Sequence, residues 1–146
     1  MRALGGWRFA PALAWSALLF WSSSRVWDGQ AGAVLQWIPS FLLQLLAPDK
    51  LLHLSAYCML GLLWLAGFRR WRLPQGPQPR VHLALAWICT SGFGALDEVH
   101  QAFVPGRSAD PQDWLADACG ACLGMGVWIL CTDLGLRVIR PSGRGR

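Results

Sequence analysis

LDEVHQAFVPGRSADPQDWLAD, residues Leu96–Asp117, gathers five of the eight acidic residues of a chain that is 54% hydrophobic and contains 10 tryptophans. Apolar sequence flanks it on both sides, VHLALAWICTSGFGA before and ACGACLGMGVWILCT after. With 146 residues and a positive mean hydropathy, such flanks read as membrane helices around a polar turn.

Working outward, four segments approach the roughly 20 apolar residues that a membrane helix needs. They are Trp7–Ser24, Leu51–Phe68, Val81 to about Phe103, and Trp114–Thr132. A fifth apolar stretch, Ala31–Leu46, is short and contains Pro39. Its Gln36, Ser40 and Gln44 form a polar stripe opposite Val34, Trp37, Phe41 and Leu45, which predicts a helix lying in the membrane interface. The expected fold is an all-α membrane protein, with four transmembrane helices in a compact bundle plus a short interfacial helix between the first and second spans. No repeat or second domain interrupts 1–146, and a basic tail follows from about 137.

The basic residues orient the bundle, because Lys and Arg in short loops are retained on the cytoplasmic side. Ten of the thirteen lie at Arg2, Arg8, Arg69, Arg70, Arg72, Arg80, Arg137, Arg140, Arg144 and Arg146. Both termini are therefore expected in the cytoplasm. The other side receives Arg25, Lys50 and Arg107 with seven of the eight acids. A basic start followed by FAPALAWSALLFW also fits a signal peptide, but the distance to AGA at Ala33 favours a retained first helix. The arginines flank apolar spans without a nucleic-acid motif, so nucleic acid is not an expected partner. Cys58, Cys89, Cys119, Cys122 and Cys131 all fall inside predicted spans and read as buried packing residues, the C-x-x-C at 119–122 included.

Alternating helix direction brings the ionisable residues of three spans to one end. Asp49, Lys50, His53 and Tyr57 open the second; Asp97, Glu98, His100 and Gln101 close the third; Asp110, Asp113 and Asp117 open the fourth, with Arg107 in the connection. Lys50, Glu98 and Tyr57 are the only residues of their types. Charge at depth is costly unless it faces a partner or a wet cavity, which predicts a polar pocket shared by these helices. Gly120, Ala121 and Gly124 give the fourth helix a small-residue face for close packing, and Gly92 and Gly94 offer the same on the third.

Asp110 before Pro111 has the form of a helix N-cap, with Asp113 near the positive end of the dipole. Asp97, Glu98 and Asp117 lack that explanation. They fit either an ion-pair network with Lys50 and Arg107 or a catalytic site, in which an Asp–Glu pair suits one member to hold a proton and His53 or His100 exchanges it. No metal-ligand spacing such as H-E-x-x-H is present, and no cofactor is expected. Two helix N-termini beside Lys50 and Arg107 would attract a lipid phosphate, although the surrounding acids oppose it.

DKLLHLSAYCMLG (Asp49–Gly61), the Leu96–Gly124 stretch and the FWSSS ending of the first helix resemble the VanZ-like family of membrane proteins, from Phe20 to about Gly126. The resemblance places Asp49, Lys50, His53 and Tyr57 in a first motif. It places Asp97, Glu98, His100, Gln101, Phe103, Pro105, Arg107 and Asp113 in a second. Asp117 departs from the pattern, where members commonly have Asn. The family implies a bacterial cell (inner) membrane protein, and its namesake raises resistance to the glycopeptide teicoplanin without remodelling peptidoglycan precursors. The expected ligand-binding set is Asp49, Lys50, His53, Tyr57, Asp97, Glu98, Gln101, Arg107, Asp113 and Asp117. Membrane lipids, or a lipid-linked envelope precursor, are the expected partners. Three functions fit: a non-enzymatic protein that binds such a headgroup and alters antibiotic access, a hydrolase or transferase acting on it, and a lipid translocator.

Overall fold

The computed structural model describes residues 6–24, 48–71 and 78–133, and all regular structure among them is helical. A 3-10 turn, Gly6–Phe9, leads into α1 (Ala10–Ser23); α2 is Pro48–Arg69, α3 is Pro79–Gln101 and α4 is Pro111–Asp133. Proline opens three of these helices, where its fixed φ is preorganised and its missing N–H costs nothing. α2 and α4 contain the apolar segments expected for them, and all three helices start a few residues earlier than expected, since apolar runs mark the buried length and not the cap. α3 ends at Gln101 and not Phe103, because a chain of turns begins at Ala102. The interfacial helix expected at Ala31–Leu46 and the tail from about 137 lie outside the described residues.

Asp49–Arg69 and Pro111–Thr132 are long and apolar enough to cross a membrane. At 1.5 Å per residue, α2 extends about 33 Å against a hydrocarbon core of about 30 Å. The distribution of side chains agrees. Leu52, Leu96, Phe103, Leu115 and Leu130 are among many large apolar residues exposed, while Asp97, Glu98, Gln101, Asp113 and Asp117 are buried. A water-soluble helical domain arranges these the other way round.

α2 packs most extensively on α4, through the small residues. A Cβ on Gly120 would collide with the Leu54 carbonyl oxygen, and one on Gly124 with that of Cys58. At Gly61 the same construction comes within 3.2 Å of the Ala121 backbone. Helices meet this closely only where neither presents a side chain, so these glycines fix the offset between α2 and α4. On α3, Gly94 makes such an approach, but Gly92 faces open space. Two indoles join the other helices: Trp15 Nε1 donates to the Ala56 carbonyl at 2.9 Å and Trp114 Nε1 to that of Ser91 at 3.1 Å.

The cysteines differ from expectation. All five are free thiols; Cys119 and Cys122 are exposed and the others half-buried. The close α2–α4 contact uses the glycine face of α4, which turns the intervening cysteines outward.

Candidate functional site

The N-terminal ends of α2 and α4 meet the C-terminal end of α3. Between α3 and α4 the chain descends through turns closed by Phe103 N–H to His100 O, Val104 N–H to Gln101 O and Arg107 N–H to Val104 O. Gly106 permits this path with a φ of 83°. Asp110 then caps α4, its Oδ1 accepting the Gln112 N–H at 2.8 Å. The Asp110 N–H donates to Glu98 Oε2 at 2.7 Å, so the connection folds back over the end of α3.

The acids divide into two layers. In the upper layer the Lys50 ammonium donates to Asp110 Oδ2 at 2.7 Å and to Asp113 Oδ1, and lies 3.3 Å from Asp49 Oδ2. This ammonium holds the Asp110 carboxyl below its usual range. Lys50 is thus fully engaged by the acids nearest the helix starts. Among the described residues it forms no ion pair with Asp97, Glu98 or Asp117, so the network that is one of the two alternatives for those acids does not include Lys50.

The lower layer is organised otherwise. Asp97 accepts from Ser23 Oγ at 2.6 Å and from Gln101 Nε2 at 3.1 Å. Gln101 Oε1 in turn accepts from Arg107 at 3.0 Å, so Arg107 reaches this layer through an amide and pairs with no acid among the described residues. His53 Nδ1 donates to Asp117 Oδ1 at 2.9 Å. The carboxylate fixes the proton on Nδ1, and a neutral ring then offers the Nε2 lone pair, 3.9 Å from Asp113 Oδ2. Tyr57, one turn below His53, lies parallel to its ring at 6.2 Å.

Three buried oxygens in this layer have no hydrogen-bond partner among the described residues: Tyr57 Oη, Glu98 Oε1 and Asp117 Oδ2. Their residues are 1%, 7% and 0% exposed. Gly94 makes room for two of them, since a Cβ there would stand 2.7 Å from Asp117 Oδ2 and 3.2 Å from Tyr57 Cε1. Unsatisfied polar atoms at such depth cost about 1–3 kcal/mol each, so this layer is where a polar ligand would gain most.

The VanZ/LLP1 family model matches residues 9–132. The chain belongs to the VanZ/LLP1 family. The match begins just before α1 and runs to the penultimate residue of α4, so Ser23 lies inside the family domain with the site residues of α2, α3 and α4. No curated protein and no solved structure matches the chain.

Within this VanZ/LLP1 domain, both sequence motifs arrive at one place. Asp49, Lys50, His53 and Tyr57 come from α2, Asp97, Glu98 and Gln101 from α3, and Asp113 and Asp117 from α4, with Arg107 at the rim. His100 does not join them. It turns toward α1, hydrogen-bonded to Ser24 at 3.0 Å, with its ring 4.1 Å from that of Phe20. This leaves His53 as the imidazole facing the acids, because position 100 lies on the α1-facing side of α3. Ser23 enters the site without having been singled out, although the FWSSS motif contained it, and Gly94, expected as a packing residue, borders Asp117 and Tyr57.

One donor atom each from His53, Glu98 and Asp117 lies within 4.8 Å of the others. A spacing motif does not reveal this set because its members come from three different helices. Chemically the arrangement can exchange protons at His53, or hold a ligand rich in donors or positive charge.

Proposed function

We propose that this VanZ/LLP1 chain is a four-span protein of the bacterial inner membrane, with both termini in the cytoplasm, that holds the polar headgroup of a lipid or lipid-linked envelope precursor in the outward-facing cluster of α2, α3 and α4. The observation that carries the proposal is the set of three unpartnered, buried oxygens on Tyr57, Glu98 and Asp117. They lie at one end of helices with an apolar exterior, where a lipid headgroup meets protein. The N-terminal turn with α1 reaches about 29 Å, enough for a first span, while the polar residues of α3 explain its lower hydropathy. Holding an envelope precursor would alter its access to teicoplanin-type glycopeptides.

The test is the lipid retained by purified full-length protein, compared by mass spectrometry with a Glu98→Gln, Asp117→Asn double variant at equal folded yield. One headgroup class is expected to be enriched in the wild type and lost in the double variant. Identical lipid profiles would sink the proposal, as would variants that only lower the amount of folded protein. Topology is checked separately in a background without the native cysteines: Ser108→Cys should label from outside and Arg80→Cys should not.

The His53–Asp117 hydrogen bond favours a second reading, a hydrolase or transferase acting on the same headgroup. In it Asp117 orients the ring, His53 Nε2 accepts a proton, and Glu98 is placed to supply one. A cellular lipid whose abundance changes with wild type but not with His53→Gln distinguishes turnover from binding.

A further inference from the structure

The upper and lower layers are differently balanced in charge. Among the described residues, this end gathers six acids, Asp49, Asp97, Glu98, Asp110, Asp113 and Asp117, with two permanently basic side chains, Lys50 and Arg107. Lys50 is spent on the upper layer and Arg107 on Gln101. The lower layer therefore holds Glu98 and Asp117, each with one oxygen unpartnered, beside a single imidazole. A headgroup hydroxyl can satisfy one such oxygen but leaves the charge uncompensated in a poorly solvated place.

We propose that His53, Glu98 and Asp117 bind a divalent transition-metal ion of the zinc or manganese kind. Three donors from three helices lie within 4.8 Å of one another, a span that closes to coordination with small side-chain movements. The imidazole selects against magnesium and calcium, which prefer all-oxygen shells, and the absence of a thiol in the set suits manganese as well as zinc. His53 Nδ1 and Asp117 Oδ1 already stand 2.9 Å apart, so an ion that displaces the proton between them can take both as ligands, and Asp117 Oδ2 has no other partner among the described residues. Glu98 is likewise held by its second oxygen on the Asp110 N–H, which aims the free Oε1 inward. Tyr57 Oη stands unpartnered in the same layer, where it can donate to a water or anion carried by the ion. The metal would also supply the positive charge that an anionic headgroup needs here, since both basic side chains are engaged. This deepens the headgroup reading of the site but does not depend on it.

The test uses the full chain in detergent, without a polyhistidine tag, stripped with chelator and titrated with Mn2+ under electron paramagnetic resonance. One ion per chain is expected, displaced by Zn2+, with pulsed spectra showing coupling to one imidazole nitrogen. Glu98→Gln should weaken binding more than about tenfold, the lower end of what loss of even an outer-sphere partner costs. His53→Gln should remove the nitrogen coupling, and His82→Gln, at the other end of α3, should change neither. Absence of stoichiometric binding by wild type, absence of nitrogen coupling, or equal affinity in Glu98→Gln would overturn the proposal. Metal binding without headgroup enrichment would uphold it and remove the lipid reading; headgroup enrichment in metal-free protein that binds no Mn2+ would do the reverse.

Discussion

The two ends of the helices are built on opposite terms. At one, Phe9 packs against Trp64 and Phe68 with centroids 5.5 and 5.1 Å away, Trp64 stacks on Phe68, and Arg69 lies over the Trp128 ring. Gly67 admits the Phe9 ring, to which a Cβ would stand at 2.6 Å. Arginines border this aromatic cluster, and Arg8 ties the chain start to the Arg70 carbonyl at 3.1 Å. Its unpartnered groups are the ring nitrogens of Trp64, Trp128 and His82. At the other end the unpartnered groups include two carboxylate oxygens and a phenol, costlier to leave so. One end is closed by aromatic packing around neutral ring nitrogens; the other gathers buried acids, which the proposed reading reserves for a ligand. Stability should therefore depend on the aromatic end, and function on the acidic one.

The comparison breaks first where both ends depend on the same contact. Gly120→Leu drives a side chain into the Leu54 carbonyl, and overpacking here should cost about 3 kcal/mol or more, seen as loss of folded protein in an SDS-unfolding assay. Next, Phe68→Ala should cost about 3 kcal/mol in the same assay and leave headgroup retention unchanged. A comparable loss of retention would mean that the two ends are not separable. Asp97→Ala should cost about 2 kcal/mol, because it strands the Gln101 amide, leaves the Ser23 hydroxyl only its Phe20 carbonyl, and loosens α1 from α3.

The smallest effect concerns the rim. Asp110→Asn keeps the N-cap and removes the charge facing Lys50. Because the folded protein holds this carboxyl below its ordinary 3.8, its stabilising contribution is present above that value and lost as pH falls through the lowered one. The wild type should thus melt above Asp110→Asn at pH 6, with the gap closing below pH 3.8. A gap that widens on acidification would assign Asp110 another role.

Much of this was legible in the chain. Pro111 marks a helix start, alternating direction sends three sets of polar residues to one end, and Gly120 and Gly124 announce a close contact on the fourth helix. Partner choice was not legible. Periodicity gives the face of a helix, but which acid meets Lys50 and which meets His53 depends on axial offsets set by glycine contacts across the bundle. That is why Lys50 took the upper acids, His53 took Asp117, and His100 turned to α1. The Ser23–Asp97 hydrogen bond spans 74 residues and carries no local signal beyond a serine run. The C-x-x-C cysteines, expected inside, are outside because the glycines between and beyond them claim the packed face.

The most direct test of an unfinished acidic end is the thermal stability of ligand-free, chelator-treated Glu98→Gln in detergent. This substitution keeps shape and an acceptor for the Asp110 N–H but removes a buried, half-satisfied charge. If Glu98 is kept for a ligand, the variant should melt at or above the wild-type temperature while losing metal and headgroup binding. A variant that melts well below wild type, as Phe68→Ala should, while retaining both ligands would show that Glu98 is structural and contradict the account.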